Sequence, residues 1–97
     1  MTELDILVTM RFQAGDEAAR EALLREMQVE TLAKDAGCLR YEWYRLKDEP
    51  NTYYLAERWT TPAAVEAHLA SPHMIALLAR LRALAPESFA STELVRL

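Results

Sequence analysis

Basic clusters, long apolar runs, glycine and cysteine are all scarce in this chain, and each scarcity removes a class of protein. The formal net charge is −4 at pH 7, with Lys and Arg scattered. Phosphate backbones need a positive footprint, so nucleic acid is not expected as a partner. No stretch approaches the roughly 18 apolar residues that a membrane span requires. The opening residues, Met1-Thr2-Glu3-Leu4-Asp5, are acidic where a secretory signal would be basic. A lone cysteine, Cys38, cannot close an internal disulfide and suits a reducing compartment, so a cytoplasmic location is expected. With two Gly, four Pro and 52% hydrophobic residues, the 97-residue chain reads as one well-filled domain spanning 1–97.

Cofactor and metal signatures are missing too. There is no GxGxxG, Walker loop or GxSxG. Cys38 has no CxxC partner, and His68 and His73 do not have the HxxxH spacing of a metal pair. Neither a metal nor an organic cofactor is expected.

What is present is clear periodicity. Ile6, Val8, Met10 and Phe12 alternate with Leu7, Thr9 and Arg11, so residues 4–12 predict a strand. Asp16 is placed to cap a helix over 17–35, which Gly37 ends. Residues 38–47 and 52–59 predict two strands of a hairpin, with the polar turn Lys47-Asp48-Glu49-Pro50-Asn51 between them and Pro50 forbidding strand continuation. Thr61-Pro62 and Ser71-Pro72 each open a helix, a hydroxyl at the cap and proline at the first helical position. The second carries the core stripe Met74, Leu77, Leu78, Leu81 and Leu84, and Pro86 stops it. A weakly patterned last strand covers 88–97. The order βαββααβ predicts an α+β, ferredoxin-like fold with a four-stranded antiparallel sheet.

Alternation assigns the faces of that sheet. Leu39, Tyr41, Trp43, Tyr53, Leu55 and Trp59 join the even residues of the first strand on the helix-covered side, with Glu57 as the one acid among them. The other face mixes Leu7, Tyr44, Leu46, Tyr54 and Ala56 with Thr9, Arg11, Arg40, Glu42 and Arg58. That blend of aromatics and arginine is what a subunit interface looks like, so a homodimer is expected. A carboxylate in apolar surroundings gains proton affinity, and a neighbouring imidazole can accept a proton near neutral pH. Glu57, His68 and His73 are therefore candidate catalytic residues, with either histidine as the base. Trp59, Tyr41 and Trp43 are candidates to hold a flat aromatic substrate, and Tyr53 points either into that pocket or into the core. Each also has a plainer reading: Glu57 paired with an arginine or capping a helix, Trp59 as core filler, the histidines on a helix surface.

The series Gly37-Cys38-Leu39-Arg40-Tyr41, Asp48-x-Pro50, Glu57-Arg58-Trp59 and Ala63-Ala64-x-x-Ala67-His68-Leu69-x-Ser71-Pro72-His73 resembles the antibiotic biosynthesis monooxygenase family, and within it the quinol monooxygenase branch. The resemblance runs nearly end to end. It implies a dimeric α+β barrel of two ferredoxin-like sheets, and cofactor-free oxidation of a quinol-like or polycyclic phenol by molecular oxygen. Family members also include haem degraders, but those use an Asn on the first strand and a His on the last helix. Here those places hold Thr9-Met10-Arg11 and Leu77-Leu78. The antibiotic-tailoring members share Trp59, whereas their pocket Asn and Tyr correspond to Leu55 and Val65. Isomerisation of a small carbonyl compound and non-catalytic binding of an aromatic ligand are the alternatives on the same scaffold.

Overall fold

The computed structural model describes residues 3–97. Seven elements follow in order: β1 (Leu4–Arg11), α1 (Glu17–Lys34), β2 (Cys38–Leu46), β3 (Glu49–Trp59), α2 (Pro62–Ala70), α3 (Pro72–Ala83) and β4 (Ser88–Leu94). The strands pair antiparallel in the order β2-β3-β1-β4, the ferredoxin-like arrangement that the sequence predicts.

Helix α1 buries Arg20, Leu23, Leu24, Met27 and Thr31, a stripe at helical spacing, and α3 buries Met74, Leu77 and Leu81. The side chains of Thr61 and Ser71 accept the backbone N–H groups of Ala64 and Met74, capping α2 and α3 ahead of Pro62 and Pro72. Against these helices the sheet sets Val8, Met10, Phe12, Tyr41, Tyr53, Leu55 and Trp59. Register decides that choice: Ile6 stands opposite Glu57, Val8 opposite Leu55 and Met10 opposite Tyr53. On the other face Tyr44 and Tyr54 are cross-strand neighbours, 47% and 38% exposed.

Three local expectations are corrected. Leu39 does not face the helices: the β2–β3 register shifts between Cys38 and Arg40, so Leu39 is 51% exposed while Cys38, opposite Trp59, packs against the core. The extra residue of a β-bulge resets the alternation. Asp16 does not cap α1 with its side chain, because its backbone is left-handed (φ 56°) and lacks the extended geometry that aims a cap at the helix amides. Pro50 lies within β3, which begins at Glu49. Its missing N–H costs no ladder bond to β1, whose pairing stops at Arg11 opposite Thr52, and a second register shift falls beside it on β2.

Arg20 ties the β1–α1 loop down. Its buried guanidinium donates to Asn51 Oδ1 at 3.1 Å, to Gln13 O at 3.0 Å and to Gly15 O, and lies over the Phe12 ring. Gly37 does the same for the α1–β2 turn. Its φ is +87°, and a Cβ there would stand 2.7 Å from both Ala64 Cβ and Thr60 Oγ1. Strain at positive φ and the collision with α2 act together, so Gly37→Ala is expected to lose about 3 kcal/mol in urea unfolding. A loss under about 1 kcal/mol would show that the turn and α2 give way freely.

Candidate active site

Between the helix-facing side of the sheet and helices α2 and α3 lies a cavity of about 270 Å³. Ile6, Val8 and Met10 of β1, Leu55 of β3, Val65 and Leu69 of α2 and Met74, Leu78 and Leu81 of α3 make its walls apolar, with Phe89 and Ser91 of β4 at one side. Glu57 and His68 supply the ionisable chemistry, Tyr41 and Trp43 the polar-tipped aromatics; no Lys or Arg belongs to the lining. Its size falls just under the ordinary range for ligand sites, about 300–1,000 Å³.

Glu57 reaches this cavity because β3 alternates without interruption from Tyr53 to Trp59. Its Oε1 accepts the indole N–H of Trp59 at 2.9 Å. Burial pushes its pKa above the usual carboxylate range, and the indole hydrogen bond pulls partly back. A carboxyl that binds its proton more tightly folded than unfolded makes its contribution at low pH, and loses it as pH rises through the raised folded value. Glu57→Gln, neutral throughout, should lack that fall. Its urea midpoint relative to wild type is expected to rise as pH climbs from the ordinary carboxylate range through the raised folded value; parallel pH profiles would contradict that upward shift.

His68 is buried near the C-terminal end of α2. Its ring centroid is 4.6 Å from that of Trp59 and 5.7 Å from that of Tyr41. Its Nδ1 lies 2.6 Å from Asp35 Oδ2, and His73 Nε2 lies 2.9 Å from Asp35 Oδ1. Tyr41 keeps its proton: burial, then the nearby Glu57 charge, push the phenol well above its ordinary value. Cys38 stays a thiol, pushed up to about 11, chiefly by burial. Neither offers a base at neutral pH.

The structure thus brings Glu57, His68, Tyr41 and Trp43 together around one space and leaves three other candidates outside it. Trp59 is fully buried behind the cavity and acts on it through Glu57, which accepts its N–H, and through His68, against whose ring it lies. Tyr53 turns toward α1, donating its hydroxyl to Glu21 Oε2 at 2.8 Å, its ring edge-on to Phe12. His73 sits off the cavity, on Asp35 and within 3.3 Å of Ser71 Oγ. Asp35 itself escaped the sequence reading. Its one signal was an acid at the C-terminal end of a helix, where the dipole disfavours negative charge. No group of three or more His, Cys, Asp or Glu among the described residues is arranged to hold a metal ion.

A ferredoxin-like sheet with a half-open, mostly apolar cavity under its helices places this chain in the α+β class, with a space of the kind that takes a small molecule. The sequence profile of the antibiotic biosynthesis monooxygenase family matches residues 6–88, and the chain belongs to that family. Among solved structures, PA3566 from Pseudomonas aeruginosa is 27% identical, covering 100% of this chain and 96% of its own, with a TM-score of 0.86. Rv0793 from Mycobacterium tuberculosis is 26% identical, covering 99% and 96%, at 0.85. SnoaB from Streptomyces nogalater, described as a cofactor-independent oxygenase, shares the fold at 22% identity, covering 99% and 94%, at 0.84. No curated protein matches. Within the described residues, no helix is long and apolar enough to cross a membrane.

Proposed function

We propose that the protein is a cofactor-independent monooxygenase that oxidises a small quinol-like phenol with molecular oxygen. The observation that carries this reading is the pairing of one buried imidazole and one carboxyl, His68 and Glu57, on a cavity that is otherwise apolar and free of cationic side chains. His68 takes the phenolic proton, because the phenolate gives up electrons far more readily than the phenol. The substrate supplies every electron: one oxygen atom enters the ring as a hydroxyl, the ring becomes the quinone, and the other oxygen leaves as water. Glu57 hydrogen-bonds the substrate oxygens, and the apolar walls keep bulk water from the reduced-oxygen intermediates. At about 270 Å³ the cavity suits one or two rings rather than a larger polycyclic phenol.

The functional unit is a homodimer of two sheets, face to face. This is supported by the outer sheet face, where Tyr44 and Tyr54 lie among the ion pairs Arg40–Glu42 and Arg58–Asp5. Light scattering behind size exclusion tests it, and a monomer at micromolar concentration would remove it. A free, half-buried Cys38 is in keeping with a single domain working in the cytoplasm.

Metal-stripped protein, supplied with a panel of mono- and bicyclic quinols, is expected to consume oxygen well above autoxidation. No uptake with any of them would overturn the oxygenase reading. Product formed without oxygen would favour the isomerase instead, and tight binding without product a passive ligand carrier. A phosphorylated isomerase substrate finds no cation on these walls.

A further inference from the structure

Asp35 is a costly residue to place where it stands. It caps the C-terminus of α1, where the helix dipole opposes negative charge, and its side chain is only 7% exposed. Both of its oxygens are nonetheless engaged, each by an imidazole from a different helix: His68 of α2 on Oδ2, and His73 of α3 on Oδ1. The two rings differ in position. His68 is 4% exposed and lines the cavity, whereas His73 is 18% exposed and lies off it.

We propose that Asp35 is a positioning residue for His68, fixing the imidazole as the Nδ1–H tautomer and leaving Nε2 bare as the proton acceptor of the cavity. A carboxylate only accepts hydrogen bonds, so a ring nitrogen 2.6 Å from Oδ2 must carry the hydrogen. In a neutral imidazole the other nitrogen is then a lone pair. His73 holds the carboxylate from its second oxygen, so that it cannot swing away from His68. This deepens the oxygenase reading and its catalytic half rests on it: proton abstraction by His68 needs Nε2 unprotonated, and Asp35 stabilises the imidazolium that abstraction creates.

Long-range ¹⁵N–¹H NMR of the histidine rings in the full-length, ligand-free protein reads the tautomer directly, independently of turnover. Neutral His68 is expected to show a protonated Nδ1 and a bare Nε2. Asp35→Asn can offer its amide N–H to Nδ1, which should invert the tautomer. His73→Gln, which leaves Asp35 in place, should preserve it. With an active quinol, Asp35→Asn should lower kcat by about a hundredfold or more with little change in KM. A wild-type His68 protonated on Nε2 would overturn the proposal, as would an Asp35→Ala protein, with no group left to accept from Nδ1, that folds and keeps the wild-type tautomer in full. Should Asp35→Asn not fold, the wild-type and His73→Gln spectra still decide. If wild type consumes no oxygen but shows the Nδ1–H tautomer, the oxygenase reading fails while the positioning stands.

Discussion

Replacing His68 by asparagine is expected to lower kcat for aerobic quinol oxidation by about 10²–10⁴-fold, the usual worth of a positioned general base. Asparagine sets its amide N–H close to the place of the imidazole Nδ1 and can still donate it to Asp35, so the junction of the three helices keeps a hydrogen bond while the proton acceptor is lost. KM should change little, because the substrate is held mainly by the apolar walls. His73→Gln is the internal control. That ring lies off the cavity and reaches it only through Asp35, so less than about a tenfold loss is expected. Equal losses in the two variants would mean that the histidines act as one structural clamp, and the base would have to be sought elsewhere. Glu57 would then be the remaining ionisable group on the walls.

The topology was readable because its signals are local. Period-two alternation at Ile6, Val8 and Met10, and again from Tyr53 to Trp59, states which side of a strand is buried. The hydroxyl-proline pairs at Thr61 and Ser71 mark helix starts through an interaction that spans three residues. Parity failed where one extra residue enters: the bulge at Leu39 leaves no mark in composition, because Leu39 is as apolar as the position it was expected to fill. The site was legible only in part, for a related reason. Glu57 stands out as an acid in an apolar register, and its neighbours follow from alternation. The partnership of Asp35 with His68 joins residues 33 positions apart, from the C-cap of α1 to the side of α2. Nothing in a single sequence measures that distance. Tyr53 and Trp59 share Glu57's parity, yet one turns to Glu21 and the other is sealed behind the cavity; parity gives the face of a sheet and not the place on it.

Trp59 is where core and site meet, and its substitution should have the largest effect on stability. The side chain is fully buried and lies against the His68 ring. Trp59→Ala is expected to lose about 3–5 kcal/mol, a large part of the roughly 5–15 kcal/mol that holds a domain of this kind together. That variant tests only the packing. Trp59→Phe separates the two roles, since it keeps most of the apolar volume and removes the N–H that Glu57 Oε1 accepts. A loss of about 1–3 kcal/mol is expected for it, from the missing hydrogen bond and the smaller ring. The indole bond is the interaction that offsets burial at Glu57, so its removal should push the carboxyl's pKa still higher. The Phe variant should then lose stability more steeply than wild type as pH rises through that higher value. Urea midpoints across the acid-to-neutral range measure both effects together. A Phe variant that is weakened but keeps the wild-type pH profile would show that the indole fills the core without acting on the carboxyl, and Glu57 would owe its environment to burial alone.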